Sequence, residues 1–200
     1  MIPVPAAALA DFGPLAERVV GLNPDQAQLR LRGTGETVQG FVRLPFDVLA
    51  GRSLTVTADR FDLTLAAPDF LRWLQGHASE PARQDAAWLA PLPPVAGWRR
   101  VEVVPDSAVR EVVRSGALLA PSATTRSAQQ SLLASTVLTA SDGSQAVEVP
   151  LGPLSALTRM GFLPRGGQAA IDTAPGWLRI AAAYGSTFIS HGNLSGLLAL

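Results

Sequence analysis

Two stretches of the chain repeat the same order of predicted elements, and this repeat constrains the fold more than any other feature. In the first stretch, two alternating runs flank Gly33-Thr34-Gly35, and a proline and a short helical pattern follow. In the second, two such runs flank Ser141-Asp142-Gly143, again followed by a proline and helical spacing. Each stretch continues into two further runs, so both read strand, strand, helix, strand, strand. Self-similarity of this kind predicts an internally duplicated fold.

The two copies align without a gap around the proline. Pro45 and Leu49 of the first copy correspond to Pro150 and Leu154 of the second, and after the helix the second copy carries ten additional residues, 158–167. Proline suits the first turn of a helix because its φ is fixed near the helical value and its missing N–H needs no partner there. The alternative is a frequent local pattern without duplication. The predicted strands are 27–32, 38–44, 54–57 and 61–65 in the first copy, and 136–139, 147–149, 169–172 and 177–180 in the second.

Between the copies, apolar spacing predicts two helices, over 106–118 and 125–133. Alternation within the strands and the short turns between them favour antiparallel pairing. We therefore expect an α+β fold with a mainly antiparallel sheet, internally duplicated strand-strand-helix-strand-strand units, and a helical pair between the copies. The chain forms either a single compact domain over 1–200 or two tightly packed lobes. In the second case, 1–90 holds the first copy with its flanking helices, and 91–200 holds the central helices and the second copy.

The composition narrows the class of protein and its compartment. Hydrophobic residues make up 48% and charged residues 16%, which is typical of a well-folded globular chain. The absence of cysteine excludes disulfides and thiolate metal sites. All 16 cationic residues are arginine, a bias typical of GC-rich bacterial genomes such as those of actinobacteria. No apolar stretch is long enough to cross a bilayer, and the start lacks the basic residues of a secretory signal, so we expect a bacterial cytoplasmic protein.

Candidates for catalysis are few. The two histidines, His77 and His191, lie in neither a metal-ligand spacing nor a metalloprotease motif. The sequence contains no nucleophile elbow, P-loop or dinucleotide fingerprint. Gly33-Thr34-Gly35 resembles the start of such a fingerprint, but it joins two strands rather than a strand and a helix. We therefore predict no catalytic residue, no metal and no cofactor, and a protein without enzymatic activity is favoured.

The additional segment of the second copy is the most distinctive candidate for binding. It carries Arg159, Phe162 and Arg165 among glycines, and permissive loops on a rigid scaffold often hold binding residues. The alternative is that Phe162 packs beneath the sheet while Arg165 stays solvated. Tyr184, the one tyrosine of the chain, and His191 are the candidates for a small-molecule pocket.

Three function classes follow. A non-catalytic interaction or adaptor protein is favoured, because many apolar residues accompany few catalytic side chains, and an exposed apolar patch would support it. A nucleic-acid-binding protein comes second, since the formal net charge is zero. A small-molecule-binding protein or enzyme with a pocket near Tyr184 and His191 comes third. The second class requires basic side chains on one face, namely Arg99, Arg100, Arg110 and Arg114 with Arg159 or Arg165.

The C-terminal segment predicts association with itself or with another protein. Residues 194–200 include four leucines and no charged residue. Leaving such a segment in water costs roughly 25 cal/mol per Å² of apolar area. It therefore packs on its own domain or on a neighbour. We expect a homodimer formed through this segment, with packing on its own body as the alternative, and we expect no membrane partner.

Overall fold

A computed structural model describes residues 1–190, which divide into two compact units. The first unit contains residues 1–44 and 49–92, and the second contains residues 45–48 and the chain from Pro93 onward. Within each unit, every strand pair is antiparallel. The predicted α+β class, with a mainly antiparallel sheet, repeated strand units and a helical pair between them, is therefore confirmed.

The first unit combines a four-stranded sheet with helices before and after it. Its strands have the order β4-β1-β2-β3, as defined below. The predicted hairpin at Gly33-Thr34-Gly35 joins β1 to β2, and the Thr34 N–H donates to the Thr37 carbonyl at 2.9 Å. The elements are α1 (Ala6–Leu9), a 3₁₀ helix (Ala10–Phe12), α2 (Gly13–Leu22), a 3₁₀ helix (Pro24–Gln26), β1 (Gln28–Gly33), β2 (Thr37–Arg43), β3 (Leu49–Thr55), β4 (Phe61–Ala66), α3 (Ala67–Leu74) and a 3₁₀ helix (Asp85–Ala87).

Alternation along the strands builds the core of the first unit. On β1, Leu29 and Leu31 are fully buried, while the residues between them are partly exposed, as the two-residue period of a strand requires. The ring of Phe12 lies directly on β2 because Gly40 has no side chain: a Cβ there would lie 2.6 Å from the ring. Helices α2 and α3 pack together beside these residues.

The second unit contains a four-stranded sheet, a separate hairpin and the central helices. The elements are β5 (Arg99–Pro105), α4 (Asp106–Leu119), a 3₁₀ helix (Ala120–Ser122), α5 (Arg126–Ala134), β6 (Thr136–Ser141), β7 (Ala146–Pro150), α6 (Leu151–Arg159), β8 (Gln168–Ala174), β9 (Trp177–Ala182) and β10 (Gly185–Ser190). The sheet has the order β10-β9-β8-β5, and β6 pairs with β7. Thr125 caps α5, its hydroxyl accepting from the Ala128 N–H at 3.1 Å. No helix within residues 1–190 has the length and apolar character of a membrane span.

The helix predicted in the first copy between Pro45 and Leu49 is a tight loop instead. Phe46 and Asp47 have φ values of 63° and 60°, which a right-handed helix cannot contain. Strand β3 also begins at Leu49, five residues before the predicted start at 54. In the second copy, α6 follows Pro150 directly, as expected. The two copies therefore differ at this junction, and only the second has a helix there.

Candidate binding pocket

A cavity of about 370 Å³ lies in the second unit, where four separate stretches of chain meet. They are the loop 46–48, helix α5, the start of α6 and the end of β10. We call this cavity the α5–α6 pocket. An apolar cavity of about 150 Å³ is large enough to hold benzene, so this one has room for roughly two apolar side chains.

Helix α5 forms one wall of the pocket. Ser127, Gln130, Ser131 and Ala134 lie on one face of the helix, as their spacing of three and four residues requires. The first three are exposed and carry neutral hydrogen-bonding groups. Gln129 is also exposed but does not line the pocket.

The start of α6 forms the floor, and glycine makes its close packing possible. A Cβ on Gly152 would lie 3.1 Å from the Leu133 carbonyl oxygen and 3.7 Å from Val48 Cγ2. Two hydrogen bonds fix this floor. The Leu151 N–H donates to the Ser135 carbonyl at 3.0 Å. The buried Thr187 hydroxyl donates to the Pro153 carbonyl, also at 3.0 Å, and this bond ties β10 to α6.

The loop 46–48 completes the pocket with an uncommon backbone conformation. Phe46 and Asp47 both have positive φ, although neither is glycine. Residues in such regions cost about 1–3 kcal/mol each and are found where the surrounding structure holds them, often at ligand sites. Val48 next to them is 4% exposed and anchors the loop.

The chemistry of the lining suits noncovalent binding of an apolar group. Val48, Leu133, Ile189 and two prolines supply apolar surface, and serine hydroxyls with one glutamine amide supply neutral polar contacts. Asp47 is the one charged residue in the lining. Within residues 1–190, no group of three or more histidine, aspartate or glutamate side chains is placed to hold a metal ion.

The residues that the sequence suggested for binding lie outside this pocket. Phe162 is 2% exposed and packs on Gly185, where a Cβ would lie 2.8 Å from its ring. Phe162 therefore presents no exposed apolar surface, and its burial agrees with the alternative considered for this segment. Arg159 and Arg165 are exposed. Tyr184 is 54% exposed, and its N–H donates to the Phe162 carbonyl at 3.1 Å, so these two backbones meet. His191 lies outside the described residues.

The arginines required for a nucleic-acid surface lie beside carboxylates. Each of the four residues on β5 and α4 forms an ion pair, which offsets its positive charge locally. The pairs are Arg99 with Asp142, Arg100 with Asp172, Arg110 with Asp106 at 3.1 Å, and Arg114 with Glu111.

Sequence reasoning missed every residue of the α5–α6 pocket. Its side chains come from positions up to about 140 residues apart, so no single motif contains them. Two local signals existed. One was the crowding of Pro150, Gly152 and Pro153 at the start of a helix, and the other was the stripe of hydroxyl and amide residues on α5.

Comparison with known proteins identifies families and a fold. A family model described as a domain of unknown function (DUF8010) matches residues 3–93, and another described as a domain of unknown function (DUF8185) matches residues 93–194. No curated protein matches the sequence.

Solved structures of bacterial sliding clamps share the fold. The DNA polymerase III subunit beta of Pseudomonas aeruginosa has a TM-score of 0.60 at 13% identity, over 92% of this chain and 62% of that one. The sliding clamp of Caulobacter crescentus has a TM-score of 0.60 at 12% identity, over 94% and 64%. A Caulobacter crescentus clamp structure with polyethylene glycol bound at a proposed β-motif tethering region has a TM-score of 0.53 at 14% identity, over 92% and 61%. The chain thus spans about three fifths of the clamps' length, and identity this low shows the fold alone.

Proposed function

The chain belongs to the family described as a domain of unknown function (DUF8185), and we propose that it is a non-catalytic interaction protein that holds an apolar peptide segment of a partner protein in the α5–α6 pocket. The observation that carries this proposal is the pocket itself. It has an apolar floor, neutral polar side chains along one wall and a strained loop at its edge. The likeness to the clamps adds support, because one of those structures holds a polyethylene glycol molecule in a proposed tethering region.

The dimensions and charge of the pocket define the partner. A volume of about 370 Å³ accepts roughly two leucine- or phenylalanine-sized side chains from one segment. Serine hydroxyls and the Gln130 amide can pair with the backbone groups of that segment, which would otherwise lose their hydrogen bonds to water. A segment with acidic residues beside its apolar ones is disfavoured because Asp47 stands at the edge.

Binding to short synthetic peptides tests the proposal. An array of peptides carrying two neighbouring leucine or phenylalanine side chains is probed with the full chain, and the best peptide is measured by fluorescence anisotropy. Ser131→Trp places a large ring in the pocket from an exposed helical position and should weaken binding by about tenfold or more, equivalent to at least about 1.4 kcal/mol. The matched control is Gln129→Trp, on the same helix but outside the lining, and it should leave the affinity within about twofold.

The outcomes separate the function classes. If no peptide binds, or if both tryptophan variants weaken binding equally, the pocket is not the peptide site. If instead the chain binds DNA or RNA with a steep salt dependence, the nucleic-acid class replaces this proposal. The bacterial cytoplasm and the homodimer through residues 194–200 stay predictions, since that segment lies outside the described residues.

A further inference from the structure

We propose that residues 191–200 of the chain occupy its own α5–α6 pocket and compete there with the partner segment. The competition rests on the proposed function, whereas the occupancy of the pocket can be tested without it. The inference starts from where the described chain ends and from the chemistry of the residues that follow.

The described chain ends in the wall of the pocket. Ile189 and Ser190, the last two residues of β10, both line the cavity. Residue 191 therefore begins at the pocket, whatever direction the chain takes next. A chain extends by at most about 3.5 Å per residue, so Leu194 lies within about 14 Å of Ser190. The first leucine of the segment is thus within reach of the whole cavity.

The chemistry of the segment matches that of the lining. Residues 191–200 contain four leucines and no aspartate, glutamate or arginine. The pocket has room for roughly two such side chains, and Asp47 is the one charged residue of its lining. Asn193 and Ser195 can pair with the neutral polar side chains of α5. An apolar segment placed there loses contact with water without burying an unpaired charge.

Covalent continuity makes the occupancy effective even if each contact is weak. A segment tethered beside its site has an effective concentration in the millimolar range when the linker is short. The apparent affinity for a partner falls in proportion to the fraction of open pockets. If the segment fills the pocket nine-tenths of the time, a partner binds about tenfold more weakly.

Disulfide trapping in the full chain tests the occupancy directly. The natural sequence has no cysteine, so two introduced cysteines report on one distance only. One variant combines Ser131→Cys in the pocket wall with Leu197→Cys in the segment. The matched control combines Ser107→Cys, an exposed position of the same unit outside the lining, with Leu197→Cys. Under mild oxidation the first pair should form an intramolecular disulfide at least about tenfold faster than the control pair.

Two results would overturn the occupancy. Equal rates for the two pairs would mean that the segment does not favour the pocket. Disulfides formed mainly between two chains would assign the segment to a second copy, as in the predicted homodimer. A separate readout tests the competition: the full-chain variant Leu197→Ser/Leu198→Ser should bind the array-selected peptide about tenfold more tightly than the natural chain. An unchanged affinity contradicts competition. Absence of peptide binding by both chains defeats the proposed function and leaves the disulfide result standing.

Discussion

Phe162 offers the sharpest test of how the second unit is built. Its side chain is 2% exposed and rests on Gly185, so we expect it to stabilise the fold rather than to bind a partner. A phenylalanine buries at least about 150 Å². At about 25 cal/mol per Å², that area corresponds to about 4 kcal/mol. Because alanine retains part of this burial while a cavity is left behind, Phe162→Ala should destabilise the protein by about 3–4 kcal/mol.

Urea unfolding measures this loss. Far-UV circular dichroism and tryptophan fluorescence are followed together, since a free energy can be read only where the two transitions coincide. With a slope of about 3 kcal/mol per molar urea, the midpoint should fall by about 1 M. Arg159→Ala and Arg165→Ala alter exposed neighbours in the same segment and should stay within about 0.5 kcal/mol of the natural chain. A loss below about 1 kcal/mol for Phe162→Ala would refute the assignment of this ring to the core.

Two further predictions concern carboxylates of the second unit. Asp172 is 1% exposed and accepts hydrogen bonds from guanidinium groups on β5 and β9, so Asp172→Asn should cost about 1–3 kcal/mol in urea unfolding, against less than about 0.5 kcal/mol for the exposed control Glu111→Gln. The Ser144 hydroxyl, then the Gln145 N–H, hold the pKa of Asp142 well below its usual range of about 4. A lowered pKa stabilises the fold above the unfolded value and loses that effect as pH falls, so between pH 5 and 2 the melting temperature of the natural chain should drop further than that of Asp142→Asn, and equal drops would contradict it.

The sequence was informative where neighbouring residues decide the structure. Pro105 and Asp106 begin α4 as predicted, and Thr125 caps α5. The glycines around Thr34 form the predicted turn between β1 and β2. Each of these features depends on a contiguous run of a few residues. Their local preferences and the tertiary structure therefore agree.

The sequence was uninformative where distant residues decide the structure. The positive φ of Phe46 and Asp47 has no local signal, because neither residue is glycine, and the surrounding packing must hold it. Phe162 is buried through a contact with Gly185 on a later strand. The pocket joins four segments whose residues give no common motif. A composition of few catalytic side chains pointed to the class of function but not to the place where binding occurs.

Photo-cross-linking with the array-selected peptide tests the central claim most directly. The peptide carries a benzophenone beside one of its apolar residues, and the adducts on the full chain are located by mass spectrometry. We predict adducts on α5 between 127 and 134, at 150–153 and at 189–190, with their yield reduced by Ser131→Trp and unchanged by Gln129→Trp. Adducts confined to other positions, such as the exposed Tyr184, would show that the peptide binds elsewhere and would contradict the assignment of the α5–α6 pocket as the partner site.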